Sequence, residues 1–181
     1  MKKIYNKVLI LFMPLVIFIP FIYGITSEAA TAENVYIING DIQEKEFSVP
    51  EEIDNEIVTK VSFYDNTSIE KLYIPKNVNE VYIEGKTSKR YALKELIVSE
   101  DNPNFTSVDG VLYSKDMKVL YYYPCDKSDE VFNVPEPVET IGAYPNTTSS
   151  WAFANCQNLK EINFNKNIKI INQSYQMIYV I

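Results

Sequence analysis

Between Val131 and Phe164 the sequence shows a hydrophobic pattern that starts twice. Each start is a short alternation of apolar and polar residues, typical of a β-strand, and apolar positions at a wider, turn-like spacing follow. From Pro135 to Asn165, the equivalent position in the second unit, the step is 30 residues, and an insertion of seven residues rich in Thr and Ser, 145–151, lies within it. The apolar positions are Phe132, Val134, Val138, Ile141, Ala152, Phe153, Cys156, Leu159, Ile162 and Phe164.

The same pattern occurs upstream at a similar step. Leu72 and Ile74 alternate immediately before Pro75, and Leu96 follows Leu72 by 24 residues. Without its insertion, the later step is 23 residues. A unit of about 20 to 29 residues with Leu or Ile spaced as L-x-x-L-x-L, and a Cys or Asn at a fixed later position, is typical of leucine-rich repeats. The pattern predicts a mainly β solenoid of short parallel strands, joined by irregular or short helical returns.

The residues from Val131 to Ile171 resemble the BspA-like leucine-rich repeats. The pattern of those repeats, L-x-x-L-x-I-P-x-x-V-x-x-I-G-x-x-A-F-x-x-C-x-x-L, is matched closely there and remains recognisable from about Ile69. Asn102–Pro124 looks like the β-hairpin insert that often interrupts these repeats. The resemblance implies a surface or secreted binding protein, with adhesion to proteins or glycans of a host or a neighbouring cell as its function.

The hairpin insert has a clear internal pattern. Val111–Tyr113 and Lys118–Tyr122 are strand-like, and they flank a polar four-residue connection suited to a hairpin. Phe105 and Val108 precede this hairpin, and we expect both to attach it to the edge of the solenoid.

The repeat pattern divides the chain into segments with different roles. A solenoid needs a terminal unit that shields its core from water, and a degenerate first repeat could supply it. We predict a signal peptide at 1–32, an N-terminal cap or degenerate repeat at 33–66, leucine-rich repeats at 67–171 with the hairpin insert at 102–124, and an atypical C-terminal tail at 172–181.

The first segment has the features of a secretory signal peptide. Lysines precede an apolar run of 16 residues, Val8–Tyr23, and small residues follow it. We expect cleavage after Ala32, with Ala30 as the alternative site. An uncleaved membrane anchor is the other interpretation, but the run is shorter than the roughly 20 residues that span a bilayer comfortably. The predicted location is therefore secreted or on the extracellular cell surface.

The C-terminal tail departs from the repeat pattern because it is strongly apolar. A terminal unit normally presents a polar outer face. Two interpretations stay open: Met177–Ile181 folds back as a capping strand, or the chain is a truncated array.

The charge and the residue inventory restrict the possible chemistry. The chain carries 17 basic and 24 acidic residues, a net charge of −7, which argues against nucleic acid and anionic membranes as partners. Histidine is absent, which excludes the usual Ser–His, Cys–His and zinc-water machinery. Asp101–Asn104 with Asp109 could supply oxygen ligands to calcium, but it lacks the spacing of a dedicated site. We predict no catalytic residues, no metal site and no cofactor.

The two cysteines do not form a disulfide framework. Cys156 occupies the buried position of the repeat, and Cys125 follows the hairpin. We expect two separate free thiols, although export would permit a disulfide.

The binding residues are expected on the strands themselves. Side chains alternate across a strand, so one set faces the core and the other faces outward from a long, rigid sheet. The outward positions predicted to form a concave binding face are Tyr73, Ile97, Asn133 and Asn163. The alternative hypothesis is a structural fragment of a longer repeat array with no binding activity of its own.

Overall fold

The computed structural model describes residues 35–38, 42–63, 66–83, 92–142 and 152–172. Over these residues the regular secondary structure consists of short β-strands, and no helix occurs among them. The mainly β solenoid of short parallel strands that the repeat pattern predicts is therefore confirmed.

Three sequence-based predictions fall outside the described residues. They are the signal peptide 1–32 with cleavage after Ala32, the insertion 145–151, and the C-terminal tail beyond Asn172. Each of them stays a prediction.

The strands of the described residues contain two to four residues each. In chain order they are β1 (Val35–Ile38), β2 (Glu46–Ser48), β3 (Glu52–Ile53), β4 (Glu56–Ile57), β5 (Lys60–Phe63), β6 (Lys71–Ile74), β7 (Glu80–Ile83), β8 (Glu95–Val98), β9 (Phe105–Val108), β10 (Val111–Ser114), β11 (Val119–Tyr122), β12 (Val131–Asn133), β13 (Thr140–Ile141), β14 (Glu161–Asn163) and β15 (Ile170–Ile171).

The solenoid strands alternate along the chain between two positions in each turn. We call β2, β6, β8, β12 and β14 the front strands and β1, β5, β7, β11, β13 and β15 the return strands. Front strands pair in parallel as β2-β6-β8 and β12-β14, and return strands pair in parallel as β1-β5-β7 and β11-β13-β15. From β2 to β14 the chain thus makes four turns, and each turn passes through one return strand.

The return segments differ from the irregular or short helical form that the sequence predicts. The described returns are strands, and each pairs in register with its neighbour, as in Val61 with Val81 and Phe63 with Ile83. Parallel pairing satisfies the backbone amides and carbonyls of a return without any helix.

The core lies between the front and return strands. Leu72 and Ile74 of β6 are fully buried together with Val61 and Phe63 of β5, because these side chains point to the same interior. A second hydrophobic cluster follows along the chain, and Cys156 packs against both. The second cluster consists of Val111, Tyr113, Leu120, Tyr123, Val134, Val138, Ile141, Ala152, Phe153 and Leu159.

The hairpin insert is a three-stranded antiparallel unit, β9-β10-β11. Asp109 and Gly110 join β9 to β10, both with positive φ (50° and 76°), as a tight hairpin turn requires. Because β11 also pairs in parallel with β13, the insert is continuous with the return strands. Phe105 is buried as expected, but Val108 is 42% exposed, so the expectation that it helps attach the insert is wrong.

Asparagine side chains connect neighbouring turns. The amide of Asn102, which is fully buried, donates to the carbonyl oxygens of Pro75 and Val78, each at 2.9 Å. Asn165 donates in the same way to Pro135 at 2.6 Å and Val138 at 3.0 Å. Each asparagine therefore bonds two carbonyls of the preceding turn, of which the Pro75 and Pro135 carbonyls also accept from the Val78 and Val138 amides within that turn.

Candidate binding face

Tyr73 and Ile97 lie side by side on neighbouring front strands. They are partners in the β6–β8 register, and Ser48 of β2 occupies the same row on the other side of Tyr73. Both side chains are half-buried, while the residues that flank each of them in its strand pack into the core or beside it. The Tyr73 hydroxyl donates to Glu46 Oε2 over 3.4 Å. The row therefore offers an aromatic and an aliphatic surface held by rigid backbone.

Asn133 and Asn163 form a second pair on β12 and β14. Their backbones are in register, both side chains are exposed, and Asn163 Nδ2 donates to Asn133 Oδ1 at 3.0 Å. Stacked amides of this kind keep spare donors and acceptors for a partner.

The insert lies against β8, on the side of that strand that faces away from β6. The Leu96 amide donates to the Gly110 carbonyl at 2.9 Å, and the Val98 amide donates to the Ser107 hydroxyl at 3.0 Å. In the described residues β8 and β12 belong to different sheets. The structure thus brings together Tyr73 with Ile97, and Asn133 with Asn163, as two separate pairs.

A row of alternating charges runs along the start of the front strands. We call the residues that immediately precede these strands the front charge row. From the first strand to the last they are Lys45, Glu70, Lys94, Glu130 and Lys160.

Neighbours in the front charge row form ion pairs. Glu70 contacts Lys45 on one side and Lys94 on the other, each at 2.8 Å, and Lys160 contacts Glu130 at 2.5 Å. Backbone bonds set this register, because the amides of Glu70, Lys94 and Lys160 donate to the carbonyls of their partners one turn earlier. Hydrogen bonds and attraction from both lysines lower the pKa of Glu70 to about 2.

The last three return strands, β11, β13 and β15, are preceded by a similar return charge row, Lys118, Glu139 and Lys169. Lys169 contacts Glu139 at 2.6 Å. The hydrogen bond from Lys169 holds the pKa of Glu139 below its ordinary value. Neither row was predicted from the sequence, because the paired residues lie 24 to 30 positions apart.

In the oxygen-rich loop that the sequence suggested as a possible calcium site, the Asn102 side chain is hydrogen-bonded to backbone groups. Asn102 Oδ1 accepts from the amides of Asn104 and Phe105, each at 2.9 Å. Its Nδ2 donates to two carbonyl oxygens of the preceding turn. Among the described residues, no group of three or more Cys, Asp and Glu side chains is arranged to hold a metal ion.

Neither cysteine is part of a disulfide. Cys125 is buried, and Cys156 is half-buried with its Sγ 3.7 Å from the Ala154 carbonyl oxygen. Burial raises the pKa of the Cys156 thiol, which disfavours the reactive thiolate. The residues of the candidate binding face are suited to binding by shape and hydrogen bonding.

No described segment is a helix of the length and apolar character that a membrane crossing requires.

No protein-family model matches the chain, and no curated protein matches it significantly. Solved structures do resemble it. A leucine-rich repeat protein from Eubacterium ventriosum is 27% identical, with a TM-score of 0.53 over 70% of this chain and 31% of that protein. The pneumococcal vaccine antigen PcpA is 28% identical, with a TM-score of 0.51 over 66% of this chain and 28% of the antigen. The chain therefore spans about a third of the length of these proteins.

A leucine-rich cell surface protein from Faecalibacterium prausnitzii is a more distant likeness, 23% identical with a TM-score of 0.49 over 63% of this chain and 29% of that one. With the parallel front and return strands, the two stronger likenesses confirm the fold that the repeat pattern predicts. The chain therefore has the fold of a leucine-rich-repeat solenoid, consistent with the BspA-like repeats that its sequence resembles.

Proposed function

We propose that this protein is an exported, non-enzymatic binding protein that holds protein partners on its front strands, outside the cell. The observation that carries the proposal is the in-register pair Tyr73 and Ile97 on β6 and β8. Tyrosine and isoleucine that are held by paired backbone lose little conformational entropy on binding, and tyrosine is enriched at protein interfaces. The exposed amides of Asn133 and Asn163 add directional hydrogen bonds.

The location outside the cell is supported by two observations of different kinds. The segment 1–32 has the composition of a signal peptide. One structural likeness is a pneumococcal vaccine antigen, which supports display of this type of repeat to a host. We propose cleavage after Ala32, so that the exported chain begins at Glu33 and contains the repeats 67–171.

Export can be tested by expressing the full chain in its native cell or a related bacterium. Detection in the medium or on intact cells, with an N-terminal sequence that starts at Glu33, is the expected result. Retention inside the cell with Met1 intact would contradict it.

Binding can be tested on immobilised cell-surface proteins and on intact host or neighbouring bacterial cells. Tyr73→Glu/Ile97→Glu places two charges on the front strands and should reduce binding at least ten-fold. The matched control is Val119→Glu/Thr140→Glu, an in-register, half-buried pair on the return strands, which should keep binding. Equal losses in the two double variants, with both folded by circular dichroism, would contradict the proposal.

A further inference from the structure

The insert places an exposed apolar residue beside the candidate binding face. Two hydrogen bonds join β8 to the insert, one at Ser107 and one at Gly110. The residues between these two, Val108 and Asp109, therefore lie opposite Ile97, the residue of β8 between the two bonded amides. Val108 is 42% exposed. The apolar surface of Ile97 thus continues onto the insert.

The same part of the insert also lies next to the segment that leads into β12. Val108 pairs with Val111, which is buried in the second hydrophobic cluster, so both side chains lie on the face of the insert that is turned toward that cluster. The Lys127 ammonium donates to the Asp109 carbonyl at 2.8 Å. Val108 therefore lies between the two front sheets, and hydrogen bonds from both sides hold the backbone around it.

The strand β12 differs from the other front strands at its first residue. Val131 is apolar, and it is 47% exposed. It points outward because it alternates with Phe132, which packs against the second cluster. Val131 therefore exposes apolar surface on the side of the insert away from Ile97. The first residues of the other four front strands are all charged: Glu46, Lys71, Glu95 and Glu161.

The charges around these apolar residues are mostly acidic. The outward charged residues that begin the front strands, together with the one in the insert turn, are Glu46, Lys71, Glu95, Asp109 and Glu161, a net charge of −3. Lys71 lies 3.9 Å from Glu46 and 3.6 Å from Glu95, and it offsets one of the four negative charges. The neighbouring front charge row forms ion pairs within itself. A partner that brings Lys or Arg to this surface is therefore attracted, and an acidic partner is repelled.

We propose that Val108 and Val131 join Tyr73 and Ile97 in one binding face, and that this face binds a protein segment in which apolar side chains are combined with Lys or Arg. The inference rests on the proposed binding function of the front strands, to which it adds the insert and the chemistry of the partner. Apolar side chains of the segment cover the four residues, and its cations lie beside the acidic ones. The hydrogen bonds on both sides of Val108 leave little ordering to be done on binding.

Peptide selection on the full chain tests the chemistry of the partner. A phage library of random dodecapeptides is selected on the immobilised protein, and the enriched peptides are synthesised and measured by isothermal titration. These peptides should contain Lys or Arg together with Leu, Ile, Phe or Tyr. Val108→Ser should weaken their binding at least three-fold. The matched control is Ile57→Ser, which removes a similarly exposed aliphatic residue from β4 and should change the affinity less than two-fold.

Removal of two acidic residues tests the contribution of charge. Glu95→Gln/Asp109→Asn should weaken binding of the same peptides at least three-fold at low salt, and added salt should diminish this difference. Asparagine suits position 109 because it adopts positive φ readily. The control Glu52→Gln/Glu56→Gln removes the same charge from the β3-β4 hairpin and should change the affinity less than two-fold.

Three outcomes would overturn the inference: enrichment of no peptide, enrichment of peptides without basic residues, and equal effects of Val108→Ser and Ile57→Ser. The proposed function is judged separately by Tyr73→Glu/Ile97→Glu. If that double variant loses binding while Val108→Ser keeps it, the front strands bind without the insert and only the inference fails. If the peptides bind equally well to all of these variants, the proposed function fails as well.

Discussion

The side-chain amide of Asn102 donates to the carbonyl oxygen of Val78, across 24 positions of sequence and one turn of the solenoid. The same amide reaches Pro75, and its oxygen accepts from the amides of Asn104 and Phe105. One fully buried side chain thus bonds four backbone groups of two neighbouring turns. This contact fixes the turn that carries Tyr73 relative to the turn that carries Ile97.

Removal of this amide should be costly. Asn102→Ala removes the side-chain partner of the buried Val78 carbonyl and of the buried Phe105 amide, and unsatisfied buried groups cost about 1–3 kcal/mol each before relaxation and water entry. We expect a loss of at least about 2 kcal/mol in the free energy of unfolding, measured by urea denaturation. Asn167→Ala, an exposed asparagine bonded to Glu136, should lose less than about 1 kcal/mol. Similar losses of unfolding free energy in the two variants would show that Asn102 does not hold the two turns together.

Stability should decline in acid, and Glu70 should contribute to the decline. Its pKa is about 2 in the folded protein, below the ordinary value of about 4.3 for an unfolded chain. A carboxyl group with a lowered folded pKa stabilises the protein above the unfolded pKa, and this contribution is lost as the pH falls through the folded pKa. Unfolding at a series of pH values from 6 to 2 should therefore show decreasing stability.

Glu70→Gln should be less stable than the unchanged protein at pH 6, and its stability should fall less steeply in acid. Salt should diminish the difference, because these charges are solvent-exposed. Glu44→Gln, a nearby exposed carboxylate outside the charge row, is the control. Parallel pH profiles for Glu70→Gln and the unchanged protein would contradict the role of the row.

Alkaline conditions should also destabilise the protein. Burial raises the pKa of Tyr113 and of Tyr123, and the hydroxyl of Tyr123 also donates to Asp129 Oδ2 at 3.0 Å. Because the folded pKa is raised, this stability is present below the unfolded value of about 10 and is lost as the pH rises above it. Each of these tyrosines should lower the free energy of unfolding by roughly 1.4 kcal/mol for every pH unit above that value. A tyrosinate absorbance titration in which every tyrosine of the folded protein ionises together near pH 10 would contradict this.

Gly110 is expected to tolerate no side chain. Its φ is +76°, and an added Cβ would lie 3.0 Å from the Glu95 Cα, on the backbone of β8. Gly110→Ala should therefore lose about 2 kcal/mol or more through backbone strain and steric overlap. Gly110→Asn separates the two causes, because asparagine adopts positive φ more readily but also carries a Cβ. Recovery of full stability in Gly110→Asn would show that the contact with β8 is not limiting.

The front strands could be predicted because the pattern of their own residues is typical of a β-strand. Leu72 and Ile74 alternate with Tyr73, and a proline ends the strand. The return strands could not be distinguished from short helical turns by spacing alone. Val78 and Val81 are three positions apart, as on a helix, but Val78 lies in a turn and Val81 in β7. Only the parallel pairing with Val61 decides between these structures.

The contacts between turns could not be predicted, because their partners are known only after the register is known. Glu70 and Lys94 are ordinary surface residues in the sequence, and they meet because β6 and β8 are in register. The sequence around Asn102 likewise predicts a turn, but it does not indicate to which carbonyl oxygens the side-chain amide donates. The four predicted face residues were placed on strands correctly, but their separation into two pairs depends on the insert beside β8.

In-register parallel stacking of the turns places Tyr73 beside Ile97 and aligns both charge rows. Nuclear Overhauser effects between backbone protons of β6 and β8 measure this stacking in solution. We expect contacts of Leu72 with Leu96 and of Tyr73 with Ile97, which progress in the same direction along both strands. Contacts that progress in opposite directions, or that are shifted by one or more residues, would contradict it.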